Sequence, residues 1–130
     1  MLLNMNKKGT ILVADDDEAV LDTTCTFLEF FGYSVIQAKN GVEAVSKYKE
    51  SKPGLVFLDV KMPKMDGYKA FFELEKEFPN ARIIFMTAHA DYSKWNKAKD
   101  KHALELIEKP YSAEKLKKLT EKFYPKKINR

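Results

Sequence analysis

Five short apolar runs, each followed by a stretch with apolar residues at helical spacing, constrain the fold of this 130-residue chain more than any other feature. The runs are Thr10-Ile11-Leu12-Val13-Ala14, Tyr33-Ser34-Val35-Ile36-Gln37, Leu55-Val56-Phe57-Leu58-Asp59, Arg82-Ile83-Ile84-Phe85-Met86 and Leu104-Glu105-Leu106-Ile107. A continuous apolar run bounded by turn residues, as Leu55–Leu58 is by Pro53-Gly54 and Met62-Pro63, reads as a strand covered on both faces. Strand and helix in strict alternation predict an α/β fold, a doubly wound parallel sheet with helices on both sides. Right-handed crossovers then bring every strand's carboxyl end to one edge, which is where open α/β sheets bind ligands.

The stretches between the runs carry helix punctuation. From Asp17 to Phe31 the apolar positions Val20, Thr24, Phe27, Leu28 and Phe31 recur at helical spacing, and Gly32 supplies the stop. Asn40 reads as an N-cap with Glu43 as its reciprocal partner, opening a helix through Val45 and Tyr48 to about Lys52. Asp66 caps a helix whose inward stripe is Gly67, Ala70, Phe71, Leu74 and Phe78, ended by Pro79-Asn80. Between Ala88 and Asp100 only Tyr92, Trp95 and Ala98 hint at a helical face. Ser112 caps a closing helix with Leu116, Leu119 and Phe123 inward. The division expected is a leader over 1–8, one domain over 9–124, and a tail or start of a linker over 125–130.

The length suits a single domain with a real core. The lone Cys25 excludes an internal disulfide framework and, within a helix, suggests packing. Met1-Leu2-Leu3 is too short for a signal segment and no apolar run has transmembrane length, so a cytoplasmic protein is expected. The net charge of +4 is uneven: residues 91–130 hold 12 Lys/Arg against 6 Asp/Glu. Such a basic segment fits either a solvated face or an acidic partner.

The topology gathers Asp15, Asp16, Asp59, Thr87 and Lys109 at the strand ends. Each has a plain alternative: helix-capping acids, a strand-terminal turn former, a solvent lysine before Pro110. Together they are a chemical constellation. Carboxylates converging on one rim repel one another and need cations. Lys109 supplies one, and the deficit suits Mg²⁺, which takes oxygen ligands and needs only one or two carboxylates beside waters and phosphate oxygens. His89 and His102 have no second ligand at zinc spacing. A carboxylate beside a cation, a lysine and a hydroxyl is equipment for accepting a phosphoryl group, with Asp59 as nucleophile, Lys109 neutralising charge and Thr87 donating a hydrogen bond.

The motifs Ile11-Leu12-Val13-Ala14-Asp15-Asp16-Asp17, Leu58-Asp59-Val60-Lys61-Met62-Pro63-Lys64-Met65-Asp66-Gly67, Met86-Thr87-Ala88 and Glu108-Lys109-Pro110-Tyr111, in this order and spacing, resemble the receiver domain of two-component response regulators, of the single-domain chemotaxis or sporulation type. The resemblance spans about residues 9–124. It implies a flavodoxin-like five-stranded sheet in order 2-1-3-4-5, Asp59 as phosphoacceptor, and Asp15 and Asp16 as the acid pair. It further implies that Asp16 and the backbone carbonyl of Lys61 are Mg²⁺ ligands and that Lys109-Pro110 is a cis peptide. Its partners would be a histidine kinase or a histidine phosphotransfer protein, and a downstream protein reached through the last two helices and last strand. Such a domain catalyses its own phosphorylation and slow dephosphorylation within a phosphorelay, as a monomer or a phosphorylation-dependent dimer, without contacting membrane or nucleic acid itself.

The chain departs from the family pattern in places. Leu106 stands where the family places its switch aromatic, three residues before the lysine, so rotation of a ring cannot be the reporter. Lys101-His102-Ala103 replaces the usual Gly-Ala, and an altered or mobile segment is expected from Ala88 to His102. Lys61 and His89 border the site and are candidates for tuning the acyl-phosphate lifetime. Tyr92 and Trp95 are either core residues or, if exposed, a docking patch.

Other functions fit less well. An aspartate-nucleophile phosphatase generally wants a second acid where Lys61 stands. A nucleotide- or flavin-binding protein would want a Gly- or Thr-rich loop where Asp15-Asp16-Asp17-Glu18 stands. No nucleic-acid recognition motif accompanies the basic segment. A phosphate-independent interaction module, or the first part of a regulator whose effector domain follows Arg130, are the remaining alternatives.

Overall fold

The computed structural model describes residues 7–89 and 92–126. Most of the expected leader, the last four residues of the tail, and positions 90 and 91 of the segment expected to be altered lie outside the described residues. In chain order the elements are β1 (Thr10–Ala14), α1 (Glu18–Phe30), β2 (Ser34–Ala38), α2 (Gly41–Ser51), β3 (Leu55–Asp59), α3 (Gly67–Glu77), β4 (Ile83–Thr87), α4 (Tyr92–Asp100), β5 (Glu105–Glu108) and α5 (Ala113–Phe123). The strands form one parallel sheet in the order β2-β1-β3-β4-β5. No helix among the described residues is long and apolar enough to cross a membrane.

Alternation along the strands divides the core in two. Ile11, Val13, Leu55, Phe57, Ile84, Met86 and Ile107 face α1 and α5, packing on Leu21, Cys25, Leu28, Leu116 and Leu119. Leu12, Ala14, Val56, Leu58, Ile83 and Phe85 face α2, α3 and α4, packing on Ala44, Tyr48, Tyr68, Phe71, Leu74 and Ala98. Every residue of β3 and β4 is buried, which is why these segments read as continuous apolar runs. Each fully buried Leu, Ile or Phe there contributes about 1.5–3 kcal/mol.

The helices begin and end where local chemistry dictates. Side chains of Asp17, Asn40, Asp66 and Ser112 accept backbone N–H groups of α1, α2, α3 and α5. Past α1, Gly32 adopts φ 104°, its N–H donates to Glu29 O, and Tyr33 N–H donates to Leu28 O. That is a Schellman closure, which favours a residue without a Cβ.

Several sequence expectations are corrected. The inward stripe of α1 is Leu21, Thr24, Cys25 and Leu28, with Val20, Phe27 and Phe31 on its flanks. Thr24 and Leu28 belong to both stripes, but the inward face is turned from the Val20 and Phe27 side towards Leu21 and small Cys25, where the helix meets the sheet. Tyr68 of α3 is buried against Phe85, at 4.6 Å between ring centroids, though the expected stripe omitted it. Strands β2, β4 and β5 each begin one residue later than expected, since pairing and not hydrophobicity sets strand ends. Tyr92 opens α4 but is 61% exposed, because the core side of that short helix is occupied by Ala98 and by Trp95, edge-on to Phe85.

Candidate functional site

Four strands deliver the site. Asp15 follows β1, and its N–H continues the ladder to Ala38 O (3.0 Å). Its side chain is fully buried, with Oδ1 accepting the Asp17 N–H at 2.9 Å. Asp17 in turn caps α1 through the N–H groups of Ala19 and Val20, so neither Asp15 nor Asp16 is the helix cap. Asp16 is thereby held exposed between two anchored neighbours.

Asp59 ends β3, buried, with Val60 N–H donating to Met86 O (2.9 Å) just beyond it. Lys109 follows β5 and its N–H donates to Thr87 O (2.8 Å), which ties the lysine backbone to the end of β4. Its ammonium bridges the two buried acids, 2.7 Å from Asp15 Oδ2 and 3.2 Å from Asp59 Oδ1. The Lys109–Pro110 peptide is cis.

Carboxylate oxygens of Asp15, Asp16 and Asp59 lie within 4.8 Å of one another. Burial pushes Asp59 up to about 7, the neighbouring charge of Asp15 adds to the rise, and the Lys109 ammonium opposes it. For Lys109 burial lowers the affinity for its proton, but the contacts with Asp15 and Asp59 together outweigh it, leaving the ammonium above its usual range. The result is an acidic pocket of hard oxygen donors whose charge one lysine does not balance. That donor set, without sulfur or imidazole, fits a hard divalent cation.

The remaining expected residues sit around this centre in different states. Thr87 is buried at the end of β4, but its hydroxyl is engaged in its own turn, donating to His89 O (2.7 Å) and accepting the His89 N–H (3.1 Å). His89 and Lys61 are exposed on the loops after β4 and β3. Leu106 is half-buried against the cluster on the α2, α3 and α4 side, and no ring occupies its place.

Three features were not read from the sequence. Gly67 donates its N–H to Val60 O at 2.8 Å, and a Cβ on it would lie 2.2 Å from the Asp59 carbonyl oxygen, so the start of α3 rests on the end of β3. The sequence places Gly67 on the inward stripe of α3 after Asp66, but gives no sign of its contact with the end of β3. Tyr111 links three elements, its hydroxyl 2.8 Å from Thr24 Oγ1 and 3.0 Å from Met86 Sδ. Ala19, Val20 and Thr23 of α1, with Lys109, Pro110 and Tyr111, line an apolar groove of about 290 Å³ beside the ammonium.

Comparison with known proteins accords with this geometry. The family model described as "Response regulator receiver domain" matches residues 11–121. Among curated relatives, "Probable transcriptional regulator ycf27" of Porphyridium aerugineum is 41% identical over 110 residues, covering 85% of this chain but 45% of the relative. The chain thus spans about half the length of that relative. "Sporulation initiation phosphotransferase F" of Bacillus subtilis (strain 168) is 31% identical over 125 residues, covering 96% of this chain and 99% of the relative. A CheY-like receiver domain protein from Methanospirillum hungatei JF-1 superposes with a TM-score of 0.82 at 32% identity, covering 88% of this chain and 92% of that one. A CheX–CheY–BeF3–Mg complex from Borrelia burgdorferi contains a chain with a TM-score of 0.84 at 28% identity, covering 94% of each.

Proposed function

The chain belongs to the response regulator receiver domain family, and from that premise we propose that Asp59 is its phosphoacceptor and that Lys109, Thr87 and a Mg²⁺ ion complete the site. The observation that carries this reading is the Lys109 ammonium held between two buried carboxylates, 2.7 Å from Asp15 and 3.2 Å from Asp59. An ammonium so placed orients the Asp59 carboxylate and neutralises charge gathering on a phosphoryl group beside it.

Asp59 attacks the phosphorus of a phosphohistidine on a kinase or phosphotransfer protein. The P–O bond to the carboxylate forms as the P–N bond breaks, and the electron pair stays on the imidazole nitrogen, which takes a proton. Thr87 exchanges its bond to His89 O for one to the new phosphoryl group. Water later attacks the phosphorus, returning phosphate and the free carboxylate. Residues holding Mg²⁺ would be Asp15, Asp16, Asp59 and the Lys61 backbone carbonyl. When bound, the ion supplies positive charge against the carboxylates and the phosphoryl oxygens. Lys61 and His89, exposed on the flanking loops, tune access of water.

The apolar groove beside Lys109 suits the phosphodonor, and the lysines exposed on α4 and α5 suit an acidic downstream partner. Because the ycf27 relatives extend well past the matched span, a second reading makes this receiver part of a longer regulator with an effector domain. Mass spectrometry of the intact protein after incubation with acetyl phosphate tests the central reading. One added phosphoryl group is expected, dependent on Mg²⁺ and absent from Asp59→Asn. No gain in well-folded protein, even with phosphorylated histidine kinase as donor, would leave only a phosphate-independent interaction module.

A further inference from the structure

The loop between β3 and α3 carries Lys61 and has to hold its shape for a backbone carbonyl there to serve as a ligand. It is pinned at its neck by Gly67 N–H to Val60 O (2.8 Å), internally by Met65 N–H to Pro63 O (2.7 Å), and from below by Met62, which is buried in the core. Lys64 at its tip has φ 67°, a left-handed conformation an L-residue rarely adopts unless its surroundings impose it. The far side of the loop is held by α2: Gly41 N–H donates to Met65 O at 3.0 Å.

Gly41 is the first residue of α2, so its N–H is one that the helix itself leaves without a partner. Asn40, buried before it, fixes where the helix starts by accepting the Glu43 N–H at 2.8 Å, and Glu43 Oε1 accepts the Lys39 N–H at 3.2 Å. The helix end is thus a rigid platform aimed at the loop. A Cβ on Gly41 would lie 2.1 Å from Met65 O and 2.8 Å from Met65 Cβ, so any side chain there would displace the loop backbone.

Resting on the functional reading above, we infer that Gly41 is a positioning residue for the Mg²⁺ site, acting through the Met65 carbonyl to hold the Lys61 loop in its ligating shape. Gly41 does not occupy a left-handed conformation, so alanine there brings no backbone penalty and is the better helix former. Helix propensity alone therefore predicts that Gly41→Ala does α2 no harm. The clamp predicts that it loosens the cation site, by the ten- to hundredfold typical of groups that orient ligands.

The test is isothermal titration of Mg²⁺ into wild type, Gly41→Ala and, as control, Val42→Ala, whose side chain is exposed one residue on. Expected is an affinity about tenfold or more weaker in Gly41→Ala alone, with the Mg²⁺ concentration for half-maximal phosphorylation by acetyl phosphate raised in proportion and the yield at saturating Mg²⁺ within about twofold of wild type. Equal Mg²⁺ affinity in wild type and Gly41→Ala would overturn the clamp while leaving the functional reading intact. Failure of wild type to bind Mg²⁺ would overturn the functional reading itself. Should Gly41→Ala not fold, hydrogen exchange on wild type decides: Mg²⁺ is expected to slow exchange of the Gly41 amide, and an unchanged rate there would overturn the clamp.

Discussion

The Nζ of Lys109 lies 3.2 Å from Oδ1 of Asp59, yet the carboxyl is still pushed up to about 7. One ammonium, shared with Asp15, does not offset burial at the sheet edge. A site in this condition holds the Asp59 carboxyl partly protonated near neutrality until further positive charge arrives.

The first prediction follows from the sign of that shift. Asp59 binds its proton more tightly in the folded chain (about 7) than its ordinary 3.8, so between those values the folded state holds more protons than the unfolded one. Its contribution to stability is present in full below about pH 4 and is lost as pH rises through 7. In EDTA the protein should therefore lose on the order of 2–4 kcal/mol from this group between pH 4 and 8. Asp59→Asn should remove that slope and be the more stable protein at pH 8. Urea unfolding of both proteins across this range checks it, and parallel pH profiles would refute it.

Removing the ammonium should have the opposite effect. Lys109→Ala leaves Asp15 and Asp59 facing each other, both buried, with no cation between them. Loss of one partner from a buried ion pair typically costs about 3–5 kcal/mol. The loss should be largest at pH 8 in EDTA and shrink on acidification, as one carboxyl takes up a proton. It should shrink also in Mg²⁺, because an acid cluster without the ammonium binds the cation more tightly than wild type, and tighter binding to the folded state alone stabilises it more by mass action. Denaturation midpoints under the three conditions measure this directly.

Such buried charges were visible in the sequence because strand ends announce themselves. The run Leu55–Leu58 stops at Asp59, and Ile11–Ala14 stops at Asp15; alternation of strand and helix alone then places both on one edge. Other contacts were not visible, each for a physical reason. Val20 and Leu21 are equally apolar, and only the packing of Cys25 against the sheet decides which series faces inward. The N–H of Gly41 meets Met65 O, and Tyr111 meets Thr24, across loops whose course depends on the whole fold. For Tyr92, linked by helical spacing to Trp95 and Ala98, the sequence leaves core packing and exposure both open, and the structure exposes it. At the first turn of a short helix, that spacing does not ensure that there is a core to reach.

At the opposite edge of the sheet, Tyr124 closes the domain. Its hydroxyl accepts the Thr10 N–H at 3.0 Å, its ring lies 5.1 Å from that of Tyr33, and a Cβ on either Gly9 or Gly54 would collide with it. Tyr124→Phe keeps the ring but leaves the Thr10 N–H without its acceptor, a loss of about 1–3 kcal/mol. Gly54→Ala should cost a comparable amount by forcing the phenol out of its cradle. Phosphorylation by acetyl phosphate should be unchanged in both, since the edge they disturb is remote from Asp59. Urea midpoints alongside phosphorylation yield separate the two effects.

The last prediction concerns how a change at Asp59 reaches the surface without an aromatic at position 106. The hydroxyl of Thr87 starts in its own turn, bonded to His89 O and the His89 N–H. To reach a phosphoryl group on Asp59 it must leave both, which frees the loop that leads into α4. Trp95 is carried by that helix and stands edge-on to Phe85, with centroids 6.3 Å apart, two residues before Thr87 on β4. Leu106 packs into the same cluster and can follow without rotating a ring. Phosphorylation should therefore alter the emission of Trp95, the chain's one tryptophan. Thr87→Ala should abolish that change while still forming the acyl phosphate, more slowly by about tenfold, since the lost hydrogen bond to a charged group is worth about 1.5 kcal/mol. Fluorescence and intact mass read on the same samples decide the matter: an emission change that survives Thr87→Ala at equal phosphorylation would show that the signal leaves the site by another route, for which the Tyr111 hydroxyl between Met86 and Thr24 is the next element to substitute.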